Sequence, residues 1–218
     1  MKRRKWFPYF CMMTLVAVFG GAKFYDNWQK QRVEDREQIT QRQLDNTLAS
    51  TRESFQFPMP SSGVIQDYGE FGKVPKFANS YHSAIDYYAL PGDPVYAVAD
   101  GNVYFVGEEE AYGGLIIIDH PQNGLYSLYG HVSKRRWLID SPTVKKGQLI
   151  GYIADIDEGY GIGSVPHLHF TMRIGSPDDY PEYGKGNWMT GYTDKHPAFY
   201  DFIDPAKFIS QSKQRVSD

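Results

Sequence analysis

Residues 91–106 read PGDPVYAVADGNVYFV. Two short runs of β-branched and aromatic residues, PVYAVA and VYFV, flank the pair Asp100-Gly101. Neither run is long enough for a helix, and Asp-Gly between two such runs predicts a β-hairpin. Working outward, apolar runs separated by turn signals recur at Leu115–Asp119, Leu125–Tyr129, Gln148–Ile153 and His167–Ile174. Beyond residue 56 no segment shows sustained helical periodicity. The reading is therefore an all-β, largely antiparallel domain of β-sheet or barrel-sandwich type, covering residues 57–210, with 211–218 as a tail. The stretch 175–200, rich in Tyr, Trp and Pro, reads as an ordered insertion held by aromatic packing.

Composition agrees and narrows the function. With 41% apolar and 22% charged residues the 218-residue chain can build a core, and its 17 Tyr, 21 Gly and 13 Pro suit strands joined by many turns. The net charge of −3 hides a split, because residues 55–218 hold 13 basic and 20 acidic groups. An acidic folded part argues against non-specific nucleic-acid binding, which needs a basic surface. Cys11 is the single cysteine, so neither a disulfide framework nor a cysteine zinc ribbon is possible.

The N-terminal segment has its own logic. After the basic residues 2–5 comes an uncharged run, residues 6–22, WFPYFCMMTLVAVFGGA. As a helix it would span ~26 Å against the ~30 Å of a bilayer core. It reads as a transmembrane anchor with a cytoplasmic basic end, the alternative being a cleaved signal peptide. Either reading exports the rest of the chain. Residues 23–56 lack Gly and Pro and are rich in Gln, Arg, Asp and Glu, so they read as a helical stalk. Its apolar positions Trp28, Val33, Ile39, Leu44 and Leu48 are too loosely spaced for a firm heptad seam. A solvated stalk is expected, with weak self-association through it as the sharper alternative.

Six histidines carry the chemistry: His82, His120, His131, His167, His169 and His196. In His167-Leu168-His169-Phe170-Thr171-Met172-Arg173 polar and apolar residues alternate, so on a strand His167, His169, Thr171 and Arg173 share one face. Leu168, Phe170 and Met172 then enter the core. In His82-Ser83-Ala84-Ile85-Asp86 the two end residues would stand ~13 Å apart on a straight strand, and a bend would bring them to one ion. Together the segments offer two imidazoles and a carboxylate, a set that leaves a fourth tetrahedral position open, as in catalytic zinc sites. There is no HExxH, so histidines are the natural proton-transfer groups. His120 and His196 each precede a proline and read as structural; Asp119 and residues 108–110 read as solvated turn charges. Lys134-Arg135-Arg136 reads as a surface loop, with contact to substrate carboxylates as the alternative.

The order HSAID (82–86), LPGDPVYAVADGNV (90–103), YSLYGHVS (126–133), VKKGQLIGYI (144–153) and VPHLHF (165–170) resembles the lysostaphin/LytM-type zinc metalloendopeptidases of bacterial cell walls. Phe202-Ile203-Asp204-Pro205-Ala206-Lys207-Phe208 is a similar ending. The resemblance implies one Zn2+ held by His82, Asp86 and His169, with His131 and His167 as two catalytic histidines that are not ligands. It implies the peptide part of peptidoglycan as substrate, in the periplasm or outside the cell. With an anchor and stalk, stem-peptide cross-links near the membrane are expected, which in a Gram-negative wall means the D-Ala–diaminopimelate bond; glycine-bridge cleavage is the alternative. The family motif HxGxD carries Ala84 here, which would be strained if that position needs a positive φ. Two alternatives of other classes stand beside this one. One is a non-hydrolytic scaffold or activator of wall hydrolases. The other is a lipoyl-like carrier, which needs a lysine at a hairpin tip that Asp100-Gly101 does not supply.

Overall fold

A computed structural model describes residues 7–51, 53–60, 63–136, 138–158, 165–179 and 191–217, the side chains of 7–22, 26, 29, 33–35 and 215–217 excepted. The chain divides into two compact units, Met1–Gln41 and Arg42–Asp218.

Helix α1 covers Phe7–Ser50. In the first unit Phe24, Tyr25 and Trp28 are exposed, and the Arg32 guanidinium lies over the Trp28 ring. Among the described residues no helix is long and apolar enough to cross a membrane. The anchor expected over residues 6–22 falls on side chains outside those described, so it finds no support here. The last turns of α1 belong to the second unit: Leu44 and Leu48, four residues apart on one face, are buried in its core. Helix thus ends at Ser50 rather than running on to residue 56, and Phe55 beyond it is also core.

The second unit holds strands β1 (Tyr81–His82), β2 (Ile85–Tyr88), β3 (Pro94–Tyr96), β4 (Gly101–Glu109), β5 (Gly113–His120), β6 (Leu125–Val132), β7 (Thr143–Val144), β8 (Leu149–Tyr152), β9 (His167–Ile174), β10 (Tyr192–Thr193) and β11 (Phe202–Ile203), then helix α2 (Pro205–Ser217). The main sheet runs β11–β9–β6–β5–β4–β7, with β2 also paired to β9, while β3–β8 and β1–β10 form two small sheets. The pairings are antiparallel, as expected. Strand β5 explains its own sequence. Ile116 and Ile118 enter the main core, whereas Leu115 and Ile117 pack with Tyr112, Tyr126 and Leu128 on the opposite face. A strand covered on both faces reads as a continuous apolar run.

Two further expectations fail. Asp100-Gly101 does not turn a hairpin: β3 pairs with β8 and β4 with β5. A two-residue hairpin of that type needs positive φ at both central positions, and neither residue has it. Gly101 serves space instead, since a Cβ there would lie 2.6 Å from the Asp119 carbonyl oxygen. The Asp100 carboxylate is drawn toward the turn before β8, accepting from Lys146 N at 2.8 Å. The true hairpins close at Gly113 (φ 69°) and Gly124 (φ 63°). Second, α2 occupies much of the expected tail. Its start is an Asp204-Pro205 signal, with the Asp204 carboxylate accepting Lys207 N at 3.1 Å, and Phe208, Ile209 and Ser212 form its buried face.

Candidate metal centre

Strand β9 brings the histidines together. In its ladder with β2, Asp86 stands opposite His169, and in its ladder with β6, Gly130 does. Between β1 and β2 the chain bends at Ser83-Ala84, and the bend folds His82 back onto Asp86, whose Oδ1 is 3.4 Å from His82 Nε2. Ala84 is fully buried and does not have a positive φ, so the alanine is unstrained. The alternation read for β9 holds: Leu168, Phe170 and Met172 lie in the main core, and His167 and His169 on the other face.

Three donor atoms converge. His82 Nε2, Asp86 Oδ1 and His169 Nδ1 are separated by 3.4, 3.0 and 3.4 Å. A tetrahedral ion with ligands at ~2.0–2.1 Å has edges of about 3.3 Å, so the triangle has the right size for zinc. The donor chemistry fits as well. Burial pushes His169 down to about 4 against the pull of Asp86, which keeps it a neutral ligand at pH 7. Burial would raise Asp86, but its hydrogen bonds to His169 and His82 outweigh that and hold it an anion. Each imidazole has a partner for its other nitrogen: the Glu70 carbonyl oxygen at 3.4 Å for His82 Nδ1, and the Tyr112 hydroxyl at 3.4 Å and Thr171 Oγ1 at 3.5 Å for His169 Nε2. Such partners fix the tautomer of metal-binding histidines. Among the described residues this is the cluster able to hold a metal ion.

His131 and His167 stand beside the triangle. Their ring centroids are 4.5 Å apart, and His167 Nε2 lies 3.9 Å from Asp86 Oδ1. Both Nδ1 atoms face backbone carbonyls, Val165 at 2.7 Å and Tyr112 at 3.0 Å. With Nδ1–H donating, each ring keeps Nε2 as its lone-pair nitrogen when neutral. Burial, then the neighbouring His167 and His169, pushes His131 well below its ordinary value. All five residues are shielded, with exposures of 0–8%. Part of the cover is β10, whose Tyr192 ring lies 5.3 Å from that of His82 and whose neighbour Gly191 accepts the Ser83 N–H.

The other singled-out residues lie elsewhere. His120 ends β5 in the core, hydrogen-bonded to the Asp100 carbonyl and Ser127. His196 caps the short helix Pro197–Tyr200. Asp119 lies within β5, and burial raises it. Lys134, Arg135 and Arg136 pair with Glu108, Asp157 and Asp155 of the same chain. In the insertion, residues 180–190 lie outside the described residues. Tyr112 and Tyr192 were not visible in the sequence as site residues, because neither belongs to a polar alternation or a ligand-spaced pair.

Residues 80–181 match the family model for peptidase family M23. That segment, a little under half of the chain, is where it is similar to the M23 peptidases. DD-carboxypeptidase/endopeptidase Mpg of Neisseria meningitidis is 38% identical over 93 residues, 43% of this chain and 20% of that protein. Peptidoglycan DD-endopeptidase ShyC of Vibrio cholerae is 29% identical over 137 residues, 62% of this chain and 28% of that protein. The chain thus corresponds to between a fifth and a third of these relatives' length. Among solved structures, the catalytic domain of lysostaphin from Staphylococcus simulans aligns at 22% identity over 68% of this chain and 92% of that one, with a TM-score of 0.47. The M23 match spans the histidines and aspartate of the centre, His82 through His169.

Proposed function

We propose that this M23-like domain is a zinc-dependent endopeptidase that hydrolyses peptide cross-links of bacterial peptidoglycan, at the D-Ala–diaminopimelate bond. The observation that carries the reading is the 3.0–3.4 Å triangle of His82, Asp86 and His169 donor atoms with two further histidines beside it. His82 and His169 would hold the ion as neutral imidazoles and Asp86 as a carboxylate. Zinc bound there would lower the pKa of a water toward neutrality and polarise the scissile carbonyl. His131 and His167, each with Nδ1 tied to a carbonyl, exchange protons through Nε2 with the attacking water and the leaving amine. The names of the Neisseria and Vibrio relatives support a bond between D-amino acids. A membrane anchor over residues 6–22, placing the domain on the outer side of the inner membrane, rests on the apolar run alone.

The test is digestion of purified cross-linked peptidoglycan by the full chain with zinc, read by mass spectrometry beside a His169→Ala control. The reading expects loss of cross-linked dimers and a new amine terminus that the control does not generate. The near-complete burial of all five residues favours a second reading, a latent enzyme or a non-hydrolytic activator of other wall hydrolases. Intact peptidoglycan in the presence of a folded, zinc-loaded chain would select it.

A further inference from the structure

Tyr112 sits in the turn between β4 and β5, 3% exposed, and touches two of the five site residues through different groups. Its backbone carbonyl oxygen is 3.0 Å from His131 Nδ1, and its hydroxyl is 3.4 Å from His169 Nε2. The ring packs against both imidazoles, with centroids 5.0 Å from His169 and 5.6 Å from His131, which are themselves 6.0 Å apart. One histidine belongs to the ligand triangle and the other does not, so this residue spans both halves of the centre.

The surrounding backbone is shaped to admit the ring. A Cβ on Gly130 would lie 2.6 Å from Tyr112 Cδ1, so β6 has no side chain where the ring must pass. Tyr112 N donates to the Glu109 carbonyl at 3.1 Å, and Gly113 follows with φ 69°, a value glycine adopts without cost. The turn thus fixes the Tyr112 carbonyl and side chain at once.

We propose that Tyr112 is a positioning residue that sets the tautomers of His169 and His131 separately; this rests on the zinc reading of the centre. A ligand nitrogen must be unprotonated, so His169 carries its proton on Nε2 and donates it toward the Tyr112 hydroxyl, which leaves Nδ1 aimed at the ion. Thr171 Oγ1, 3.5 Å from the same nitrogen, is a second acceptor. His131 donates Nδ1–H to the Tyr112 carbonyl, which leaves its Nε2 for proton transfer. The hydroxyl therefore acts on metal affinity and the carbonyl on the His131 tautomer, while the ring, packed against the His131 imidazole, holds its orientation.

The two roles separate in variants of the full chain. Tyr112→Phe keeps the ring and loses the acceptor. Its zinc dissociation constant, measured by chelator competition, should rise about tenfold, the low end for partners of metal-bound histidine. Its turnover should recover as zinc is raised. Tyr112→Leu loses the ring as well, and excess zinc should not restore its turnover. Tyr112→Phe binding zinc as the parent does, at equal thermal stability, would overturn the hydroxyl's role. Tyr112→Leu recovering full turnover with zinc would overturn the ring's role. A parent chain that binds no zinc would instead bring down the function proposed above, so the two failures are told apart. Should Tyr112→Leu fail to fold, Gly130→Ala displaces the ring by a methyl group and is read in the same way.

Discussion

His131 faces His167, ring centroid to ring centroid 4.5 Å, because a β-bulge in β6 turns its side chain over. In the pairing with β5, Leu115 is opposite Gly130 and Gly114 is opposite Val132, so His131 is the extra residue, and its φ is 62°. Up to Tyr129 the odd-numbered residues Leu125 and Tyr129 point into the main core; after the bulge Val132 does. Without it His131 would point into that core. Bulges re-aim side chains beside active sites in this way, at the expense of local ladder bonds.

The bulge makes residue 131 a position with two separable demands. Asn tolerates positive φ better than most residues, whereas a β-branched side chain is strained there. His131→Asn should therefore fold with near-parental stability and lose turnover. His131→Val should lose turnover and in addition ~1–2 kcal/mol of stability. Urea denaturation of both variants checks this, and equal stability of the two would argue against the left-handed backbone at this residue.

Metal content divides the five side chains. His82→Ala, Asp86→Ala and His169→Ala should each purify without stoichiometric zinc, since each removes one corner of the triangle. His131→Asn and His167→Ala should retain zinc while turnover drops ~10²–10⁴-fold, the usual weight of a positioned acid or base. Elemental analysis beside rate measurements decides it. Zinc lost from both of the latter variants would mean that the ligands are wrongly assigned.

His120 supplies a pH dependence independent of the metal. Its Nδ1–H donates to the Asp100 carbonyl at 2.7 Å, and its Nε2 is 2.8 Å from Ser127 Oγ. The chain of bonds continues from Ser127 to the Tyr129 hydroxyl, which accepts Val98 N–H at 3.0 Å. Burial lowers His120 to about 4, against the pull of the Asp100 carbonyl. Between pH ~6.5 and ~4 the unfolded chain takes up a proton that the folded one refuses, so stability falls as pH falls. The contribution is complete above ~6.5 and amounts to ~3 kcal/mol across the window. His120→Asn keeps a donor for Asp100 but does not titrate. Its unfolding free energy should change less between pH 7 and pH 4 than the parent's, and equal pH slopes would rule the account out.

Much of this was legible in the sequence, and the gaps have physical causes. The alternation in residues 167–173 placed His167 and His169 on the face opposite Leu168, Phe170 and Met172, because β9 pairs with β2 and β6 without a bulge and its period of two holds. His82 and Asp86 required only a bend, which Ser83-Ala84 provides. The face of His131 was not legible, since a bulge shifts parity without a fixed sequence mark. Asp100-Gly101 misled, because Asp100 bonds to residues 145–146 rather than across its own turn. Tyr112 reaches the histidines only through the β4–β5 turn and the bare Cα of Gly130, a relationship spread over distant positions.

Helix α2 was missed although its signals were local, and its weight can be measured. Phe208 is fully buried and packs edge-on against Phe55, centroids 5.0 Å apart, while Ser212 Oγ accepts Phe55 N–H at 3.1 Å. The helix thus secures the segment that leads from α1 into the sheet. Phe208→Ala removes a buried aromatic ring and should cost ~3–5 kcal/mol. Ser212→Ala removes less volume but leaves a buried N–H without its acceptor, a loss of ~1–3 kcal/mol. The metal triangle involves neither residue, so both variants should bind zinc as the parent does wherever they remain folded. Denaturation curves with zinc titrations on the same samples test this. A Phe208→Ala chain of parental stability would show that α2 is a dispensable appendage.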